Sequence, residues 1–144
     1  MRICFVCLGN ICRSPMAEFI FKDILKKNNI NNIYVDSKAT SYEEEGNDMY
    51  YLAKEKLKEK GISFNLREAS RLEKDDYNKY DLIIGMEDSN VRNIKRILGE
   101  DVDSKIIKLI PDRDISDPWY TRDFEKAYVD ILEGCNLLFK NISK

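Results

Sequence analysis

The chain has 144 residues, and its 24 Lys and Arg residues nearly balance 26 Asp and Glu residues, which gives a formal net charge of −2. This length is common for one domain with one hydrophobic core, so we expect a single domain over residues 1–144. The charge balance argues against a nucleic-acid-binding protein, and no apolar stretch approaches the roughly 20 residues that cross a bilayer. We therefore expect a cytoplasmic monomer with neither nucleic acid nor membrane as a partner.

The first half of the chain alternates twice between an apolar run and an amphipathic segment. Ser14 suits the N-cap of the first helix and Pro15 its first position, and Gly61 suits the end of the second helix. In chain order, these patterns predict a strand at 3–7, a helix after residue 14, a strand at 33–37, a loop at 40–48 and a helix at 49–60.

The second half repeats this alternation, and only residues 63–80 carry no clear pattern. Asp88 or Ser89 suits the cap of the third helix, and Gly99 suits its end. Because helices separate the strands, we expect right-handed crossovers and a mostly parallel sheet with helices on both faces. In chain order, the patterns predict a strand at 82–86, a helix ending at residue 98, a strand at 106–110, a loop at 111–121 and an amphipathic helix at 124–142.

The chain has four cysteines, at positions 4, 7, 12 and 135, and no histidine. The absence of histidine excludes catalysis by Ser-His-Asp or Cys-His arrangements and also excludes His-ligated zinc. Three thiols lie near the N-terminus, but the fourth is far away in the sequence, so we expect no metal site and no cofactor. A cysteine nucleophile in this chain must be activated without an imidazole.

The segment after the first strand combines features that suit an anion. Cys7 ends the strand, five residues follow, and Arg13 and Ser14 stand where the helix begins. A loop of this length can turn several backbone N–H groups toward one point, and the helix N-terminus adds positive partial charge. Arg13 supplies paired donors for two phosphate oxygens. The same field favours a thiolate at Cys7, which can attack phosphorus and form a cysteinyl-phosphate that water hydrolyses.

Each of these residues also has an ordinary structural interpretation. Cys7 suits a buried strand, Gly9 and Asn10 suit a turn, and Ser14 and Pro15 suit a helix start. The pattern C-x5-R alone is short and arises by chance in many proteins. The order of these residues at a strand–helix junction is what favours an anion site.

The longer string VCLGNICRSPMAE, residues 6–18, resembles the phosphate-binding loop of the low-molecular-weight protein tyrosine phosphatases. The segments SKATS at 37–41, YDLIIGM at 80–86 and DPWY at 117–120 follow in the family's order and approximate spacing, so the resemblance covers essentially the whole chain. It implies a three-layer α/β/α fold with a four-stranded parallel sheet of order 2-1-3-4. It also implies metal-independent hydrolysis of a phosphotyrosine-containing protein substrate through a cysteinyl-phosphate.

The resemblance implies a role for each matching residue. Cys7 corresponds to the nucleophile, Arg13 to the residue that binds phosphate and stabilises the transition state, and Asp117 to the general acid and base. Asn10 and Ser14, together with Ser37, correspond to residues that hold the shape of the loop. The implied phosphate-binding loop comprises Leu8, Gly9, Asn10, Ile11, Cys12, Arg13 and Ser14.

The chemistry independently requires an acid, because a phenolate leaves more easily once it is protonated. Composition alone offers Asp112, Asp114 and Asp117 as candidates. Pro118 restricts the backbone of Asp117 to extended geometry, which helps to aim its carboxyl group. Asp117 is therefore the favoured acid, with an ordinary turn residue as the alternative.

Apolar and aromatic residues near the loop suit the ring of a phosphotyrosine. Trp119 and Tyr120 directly follow the predicted acid, and Ile11 projects from the loop, so we expect these three to form walls of the site. Tyr42 stands near the position of the family's usual tryptophan and is a fourth candidate. In relatives that resemble arginine phosphatases a threonine occupies the place of Ile11, so isoleucine favours phosphotyrosine.

The chain departs from the family pattern around the predicted site. The acidic run at residues 43–45 either favours basic substrates or is a solvated loop. The sequence MYYL at 49–52 replaces a proline-aspartate-arginine segment, Arg67 stands near a usual histidine, and Glu87 replaces an aspartate. These differences concern the residues that support the loop.

Cys12 follows Cys7 by five residues on the same loop, and we expect it to capture an oxidised Cys7 as a reversible disulfide. The sequence leaves open a protein arginine phosphatase, a non-catalytic phosphotyrosine- or anion-binding module, and a phosphocarrier. A thiol-dependent arsenate reductase is unsupported, because it needs a second cysteine pair and no cysteine occurs from position 13 to position 134.

Overall fold

The computed structural model describes residues 1–143 and contains a four-stranded parallel sheet. β1 pairs with β2 on one side and with β3 on the other, and β4 pairs with β3. The predicted parallel arrangement and the predicted order 2-1-3-4 are confirmed. The strands are β1 (Arg2–Cys7), β2 (Tyr34–Ala39), β3 (Leu82–Gly85) and β4 (Ile106–Lys108).

Helices cover both faces of the sheet. On one face of the sheet, an apolar cluster joins Ile3 and Phe5 of β1 to α1, α2 and α6. On the other face, a second cluster joins Cys4 and Val6 of β1 to α4. Because successive residues of a strand point to opposite faces, this burial explains why β1 is apolar from Ile3 to Cys7. The helices are α1 (Arg13–Lys27), α2 (Tyr51–Glu59), α3 (Asp76–Lys79), α4 (Asp88–Leu98), α5 (Pro118–Thr121) and α6 (Phe124–Ile142).

The start of α1 corrects two predictions. The helix begins at Arg13 and its N-cap is Cys12, so Ser14 is the second helical residue and not the N-cap. The side chain of Ser14 is turned instead toward the sulfur of Cys7, 3.1 Å away. Pro15 is the third helical residue and not the first, but it still falls in the first turn, where its missing N–H costs no helical hydrogen bond.

The predicted cap of α4 is also wrong. Glu87 precedes the helix, and Asn90 Oδ1 accepts hydrogen bonds from the backbone N–H groups of Met86 (3.0 Å) and Glu87 (3.1 Å). Neither Asp88 nor Ser89 is therefore the N-cap, because both lie inside the first helical turn.

Two further segments gain structure that the sequence patterns did not predict. The segment 111–121, predicted as a loop, ends in the short helix α5. The unassigned segment 63–80 contains α3 and a bridge between Ala39 and Arg71. No helix within residues 1–143 is long and apolar enough to cross a membrane.

Candidate active site

Cys7 is the last residue of β1 and lies at the carboxyl edge of the sheet, where its side chain is buried. Its sulfur accepts hydrogen bonds from the backbone N–H groups of Asn10 (3.3 Å) and Ser14 (3.4 Å). Because α1 begins at Arg13, the positive end of the helix dipole adds to these donors. This surrounding of N–H groups is the arrangement that stabilises a thiolate nucleophile.

Asn10 shapes the loop through both its backbone and its side chain. Its φ of 60° is left-handed, a conformation that asparagine tolerates better than most residues. The buried side-chain amide donates to Ser14 Oγ (2.7 Å) and to Ser37 Oγ (2.9 Å). Its Oδ1 accepts from the Arg67 guanidinium and from the Ser70 N–H (3.3 Å). The loop is thus tied to β2 and to the segment that follows α2.

Ser14 connects the Asn10 side chain to the Cys7 sulfur by hydrogen bonds. A hydroxyl has one hydrogen to donate and two lone pairs, and one lone pair of Ser14 Oγ is taken by the Asn10 amide. The hydrogen can point to the Cys7 sulfur at 3.1 Å or to the Lys38 carbonyl oxygen at 3.5 Å. A thiolate at Cys7 is the closer and the charged acceptor, so it attracts this hydrogen.

Arg13 is held rigidly although it stands at the mouth of the loop. It is 2 % exposed, and its Nη1 donates to Glu87 Oε2 (3.0 Å) and to the Ile115 carbonyl (2.7 Å). Its Nη2 lies 3.4 Å from Asp117 Oδ2. These bonds use three of the five N–H donors of a guanidinium, and the other two have no partner within residues 1–143. They are available to a pair of anion oxygens.

The charge of Arg13 is secured by its neighbours. Burial alone lowers the pKa of Arg13, but the adjacent Cys7, Asp117 and Glu87 raise this pKa above its ordinary value. The guanidinium therefore stays positively charged, and this charge is available to bind phosphate.

Asp117 caps the short helix α5. Its Oδ1 accepts from the Trp119 N–H at 3.0 Å, and its backbone is extended with φ −83° and ψ 111°. Its side chain is 20 % exposed. The extended geometry predicted from the following Pro118 is confirmed. The carboxylate stands beside the Arg13 guanidinium.

One cavity collects nearly all of these groups. The predicted walls Ile11, Trp119 and Tyr120 all line it, as does Asp117. Ser14 and Ser37 do not line the cavity and support the loop from below. The loop residues that line it are Cys7, Leu8, Gly9, Asn10, Ile11, Cys12 and Arg13.

Comparison with known proteins agrees with this geometry. The family model described as "Low molecular weight phosphotyrosine protein phosphatase" matches residues 2–144. The chain belongs to this family. It is a cysteine-dependent phosphatase by the same comparison.

The relatives of this phosphatase include bacterial and animal proteins. The chain is 37 % identical over 147 residues to the low molecular weight protein-tyrosine-phosphatase PtpA of Staphylococcus saprophyticus, covering 99 % of this chain and 94 % of the relative. The crystal structure of YfkJ from Bacillus subtilis superposes with a TM-score of 0.93 at 36 % identity, covering 99 % and 94 %. The crystal structure of DARP, a drosophila arginine phosphatase, superposes with a TM-score of 0.91 at 29 % identity, covering 100 % and 99 %.

One predicted wall of the phosphatase site is wrong. Tyr42 is 59 % exposed and does not line the cavity. Its ring stacks on the Arg71 guanidinium at 4.7 Å, and its hydroxyl hydrogen-bonds to Arg71 (3.2 Å) and Glu73 (3.3 Å), which draws it away from the loop. Glu43 and Glu44 line this side of the cavity instead.

Sequence reasoning missed two groups that support the phosphatase loop. Glu18 Oε1 accepts from Ser37 Oγ at 2.7 Å, and the Ile115 carbonyl accepts from Arg13. Glu18 carries a signal that could have been found, since it is a charged residue on the otherwise apolar face of α1. The Ile115 carbonyl carries none, because a backbone oxygen has no residue identity. Within residues 1–143 no three Cys, Asp or Glu side chains come together as metal ligands.

Proposed function

We propose that this phosphatase hydrolyses phosphotyrosine in proteins through a phosphate ester of Cys7. The observation that carries this proposal is the position of three groups around one cavity: the Cys7 sulfur among N–H donors, the Arg13 guanidinium and the Asp117 carboxyl group. A phosphate seated over the loop receives backbone N–H groups and the two unused donors of Arg13. No metal ion is required, because these groups supply the positive charge.

The first step transfers the phosphoryl group. The Cys7 thiolate attacks phosphorus, the S–P bond forms as the P–O bond to the tyrosyl oxygen breaks, and Asp117 gives its proton to that oxygen. Arg13 and the loop N–H groups stabilise the negative charge on the three equatorial oxygens. The products are the dephosphorylated tyrosyl residue of the substrate and the cysteinyl-phosphate.

The second step regenerates the enzyme. Asp117, now a carboxylate, accepts a proton from water, and the resulting nucleophile attacks phosphorus opposite the sulfur. The S–P bond breaks, the thiolate is restored, and inorganic phosphate leaves. Ser14 Oγ, 3.1 Å from the sulfur, stabilises the departing thiolate.

Aromatic walls support phosphotyrosine as the substrate. Ile11 lies on the phosphate loop and Trp119 and Tyr120 lie just after Asp117, so a phenyl ring attached to a bound phosphate passes between them. The exposed rings, 40 % for Trp119 and 72 % for Tyr120, have apolar surface to cover.

Substitution of the nucleophile and the acid tests this mechanism. Cys7→Ser abolishes hydrolysis of p-nitrophenyl phosphate, with or without a chelator, and retains binding of tungstate. Asp117→Asn lowers kcat for phenyl phosphate by about 10²–10⁴-fold and lowers it less for p-nitrophenyl phosphate, whose leaving group needs less protonation. Asp112→Asn and Cys135→Ala are the matched controls and retain wild-type rates. Near-full activity of Cys7→Ser without metal contradicts the mechanism.

A protein arginine phosphatase is the second candidate, favoured by the similarity to DARP and by two carboxylates at the cavity rim, Glu43 and Glu44, which suit a guanidinium. Parallel assays with phosphotyrosine and phosphoarginine decide between the two substrates, and Ile11 leads us to expect phosphotyrosine. Binding of both without hydrolysis identifies instead a non-catalytic module.

A further inference from the structure

Tyr50 stands immediately before α2, in the segment that departs from the family pattern. Its ring lies 4.8 Å from the Trp119 ring in an edge-on arrangement and 6.0 Å from the Phe124 ring in a stacked one. The ring centre of Tyr51 lies 4.9 Å from that of Tyr50. The wall residue Trp119 is therefore one member of an aromatic group. The helix that carries it, α5, has only four residues, so these ring contacts hold Trp119 in place.

Arg122 stabilises this group of aromatic residues. Its Nη2 donates to the Tyr50 hydroxyl at 2.7 Å, and its Nη1 donates to the Trp119 carbonyl at 3.1 Å. The guanidinium also lies 5.3–5.9 Å from the ring centres of Tyr50, Trp119 and Phe124, within range of cation–π attraction. Arg122 has φ 62°, a left-handed conformation that a non-glycine residue adopts only when its contacts stabilise it.

The same tyrosine also contacts the phosphate loop. The Tyr50 backbone N–H donates to the Ile11 carbonyl at 2.9 Å. Ile11 and Trp119 are the two walls between which the substrate ring is proposed to lie, and they come from segments more than a hundred residues apart in the sequence. Tyr50 therefore touches both walls, one through its backbone and the other through its ring.

We propose that Tyr50, fastened by Arg122, is a positioning residue that sets the separation of the Ile11 and Trp119 walls and thereby determines selectivity for aryl phosphates. This inference rests on the proposed function, because it requires the substrate ring to lie between those walls. It assigns no chemical step to Tyr50. Loss of the Tyr50 hydroxyl releases Arg122 and with it Trp119, so the wall loosens while the phosphate loop keeps its own hydrogen bonds.

Two ligands separate the wall from the loop. Phenylphosphonate needs both the phosphate loop and the ring walls, whereas inorganic phosphate needs only the loop. Trp119 is the single tryptophan of the chain, so its fluorescence reports directly on the wall and requires no turnover. Binding of each ligand is therefore measured by fluorescence titration, alongside KM and kcat for p-nitrophenyl phosphate.

The variants are Tyr50→Phe and Arg122→Gln, with Arg122→Lys to restore one charged donor. We expect Tyr50→Phe and Arg122→Gln to weaken phenylphosphonate binding and to raise KM by about 3- to 10-fold, as expected for loss of a hydrogen bond to a charged group. Phosphate binding and kcat change by less than about 2-fold, the emission of Trp119 shifts, and Arg122→Lys recovers part of the loss. Tyr51→Phe, next to Tyr50, and Arg96→Gln, at an exposed position on α4, are the matched controls.

The outcomes are distinct. Unchanged phenylphosphonate binding and unchanged Trp119 emission overturn the proposal, and so does equal weakening of phosphate and phenylphosphonate, which locates the damage in the loop. Because Arg122 is exposed, its variants keep the test open if Tyr50→Phe fails to fold. A wild-type protein that hydrolyses no aryl phosphate overturns the proposed function, and the titrations then decide on the positioning of Trp119 alone.

Discussion

The four thiols of this phosphatase have very different surroundings. Cys4 and Cys135 are fully buried, and burial raises the pKa of each above its ordinary value. Burial also raises the pKa of Cys12, with further contributions from the neighbouring Cys7 and Asp117. Only Cys7 has a sulfur that accepts two backbone N–H groups. These differences predict that an oxidant reacts first with Cys7.

We predict that peroxide oxidises the Cys7 thiolate to a sulfenic acid, with loss of hydroxide, and that the Cys12 thiol then displaces water to form a disulfide. Activity lost to mild peroxide returns with dithiothreitol in the wild type and does not return in Cys12→Ser. Because the raised pKa of Cys12 keeps it a thiol at neutral pH, bridge formation accelerates as the pH rises. Mass spectrometry detects the bridged peptide, and Cys135→Ser is the control. Sulfonic acid at Cys7 in the wild type contradicts this prediction.

Arg67 shows how far the sequence could predict the residues that support the phosphate loop. The sequence marked Arg67 as a replacement for histidine and left the support of the loop in question. In the structure its guanidinium donates to Asn10 Oδ1, so the loop amide keeps a donor on that side. Burial lowers the pKa of Arg67, and its Nη1 has no partner within residues 1–143. A pattern of residue types could not predict this contact, since it depends on how far a long side chain reaches.

At the scale of elements, one carboxylate fixes the turn that leads into β4. Asp101 Oδ1 accepts from the Tyr77 hydroxyl (2.7 Å) and the Lys105 N–H (2.8 Å), and Oδ2 accepts from the Ile106 N–H (3.0 Å). Burial alone raises the pKa of Asp101, but these hydrogen bonds outweigh it and bring the pKa below its ordinary value. Ionised Asp101 therefore stabilises the fold at neutral pH. This stabilisation is lost as the pH falls below about 4 and through the lowered pKa.

Asp101→Asn tests this role of the turn. We expect the free energy of unfolding to fall by about 1–3 kcal/mol at pH 7, because an amide cannot accept all of these hydrogen bonds. The difference between wild type and variant narrows toward pH 3, where the wild-type carboxyl group is also neutral. Urea unfolding at several pH values measures this difference in the free energy of unfolding. Asp103→Asn is the control, since the Asp103 side chain makes no hydrogen bond within residues 1–143. A difference that is independent of pH contradicts the prediction.

Elements with a continuous or periodic apolar pattern were predictable, and elements fixed by distant partners were not. β1 and β3 follow from continuous apolar runs, because both of their faces are buried. The segment 63–80 is held largely by bonds from elsewhere, such as Ala69 N–H to the Asn47 carbonyl (2.6 Å) and Leu72 N–H to the Ala39 carbonyl (2.8 Å). Such partners leave no local period in the sequence, so that segment could not be assigned.

Over the whole molecule, some residues of the site are close together in the sequence, and others are brought together only by the fold. The predicted loop residues are contiguous, so one stretch of sequence contained their pattern. The groups that hold Arg13 come from residues 74 and 102 positions away, and only the fold brings them together. The sequence therefore predicted which residues meet at the cavity, but it did not predict much of what supports them.

The charge around the cavity is uneven although the chain is nearly neutral. Glu43 and Glu44 line the rim, and neither forms an ion pair within the part of the chain that the structure describes. Glu44 lies against Gly9, where an added Cβ would come within 3.4 Å of its Cγ. We predict that this unpaired acidic rim attracts Lys and Arg beside the phosphotyrosine of a substrate.

Phosphopeptides with basic or acidic flanks test this preference. For Glu43→Gln combined with Glu44→Gln, we expect kcat/KM on the basic peptide to fall by about 3- to 10-fold at low salt and the loss to shrink at high salt. Hydrolysis of p-nitrophenyl phosphate, which has no flanks, changes little. Glu55→Gln combined with Glu100→Gln removes the same charge from exposed positions elsewhere and is the control. Equal losses on both peptides contradict the prediction.

Asn10 restricts which related sequences retain this chemistry. Glycine adopts the left-handed backbone but has no amide to donate to Ser14 and Ser37, and aspartate brings a negative charge next to the sulfur instead of two hydrogens. A genome survey for working enzymes should therefore require asparagine three positions after the cysteine, and not merely C-x5-R. Homologues that lack it are candidates for proteins that have kept the phosphate cradle and lost turnover.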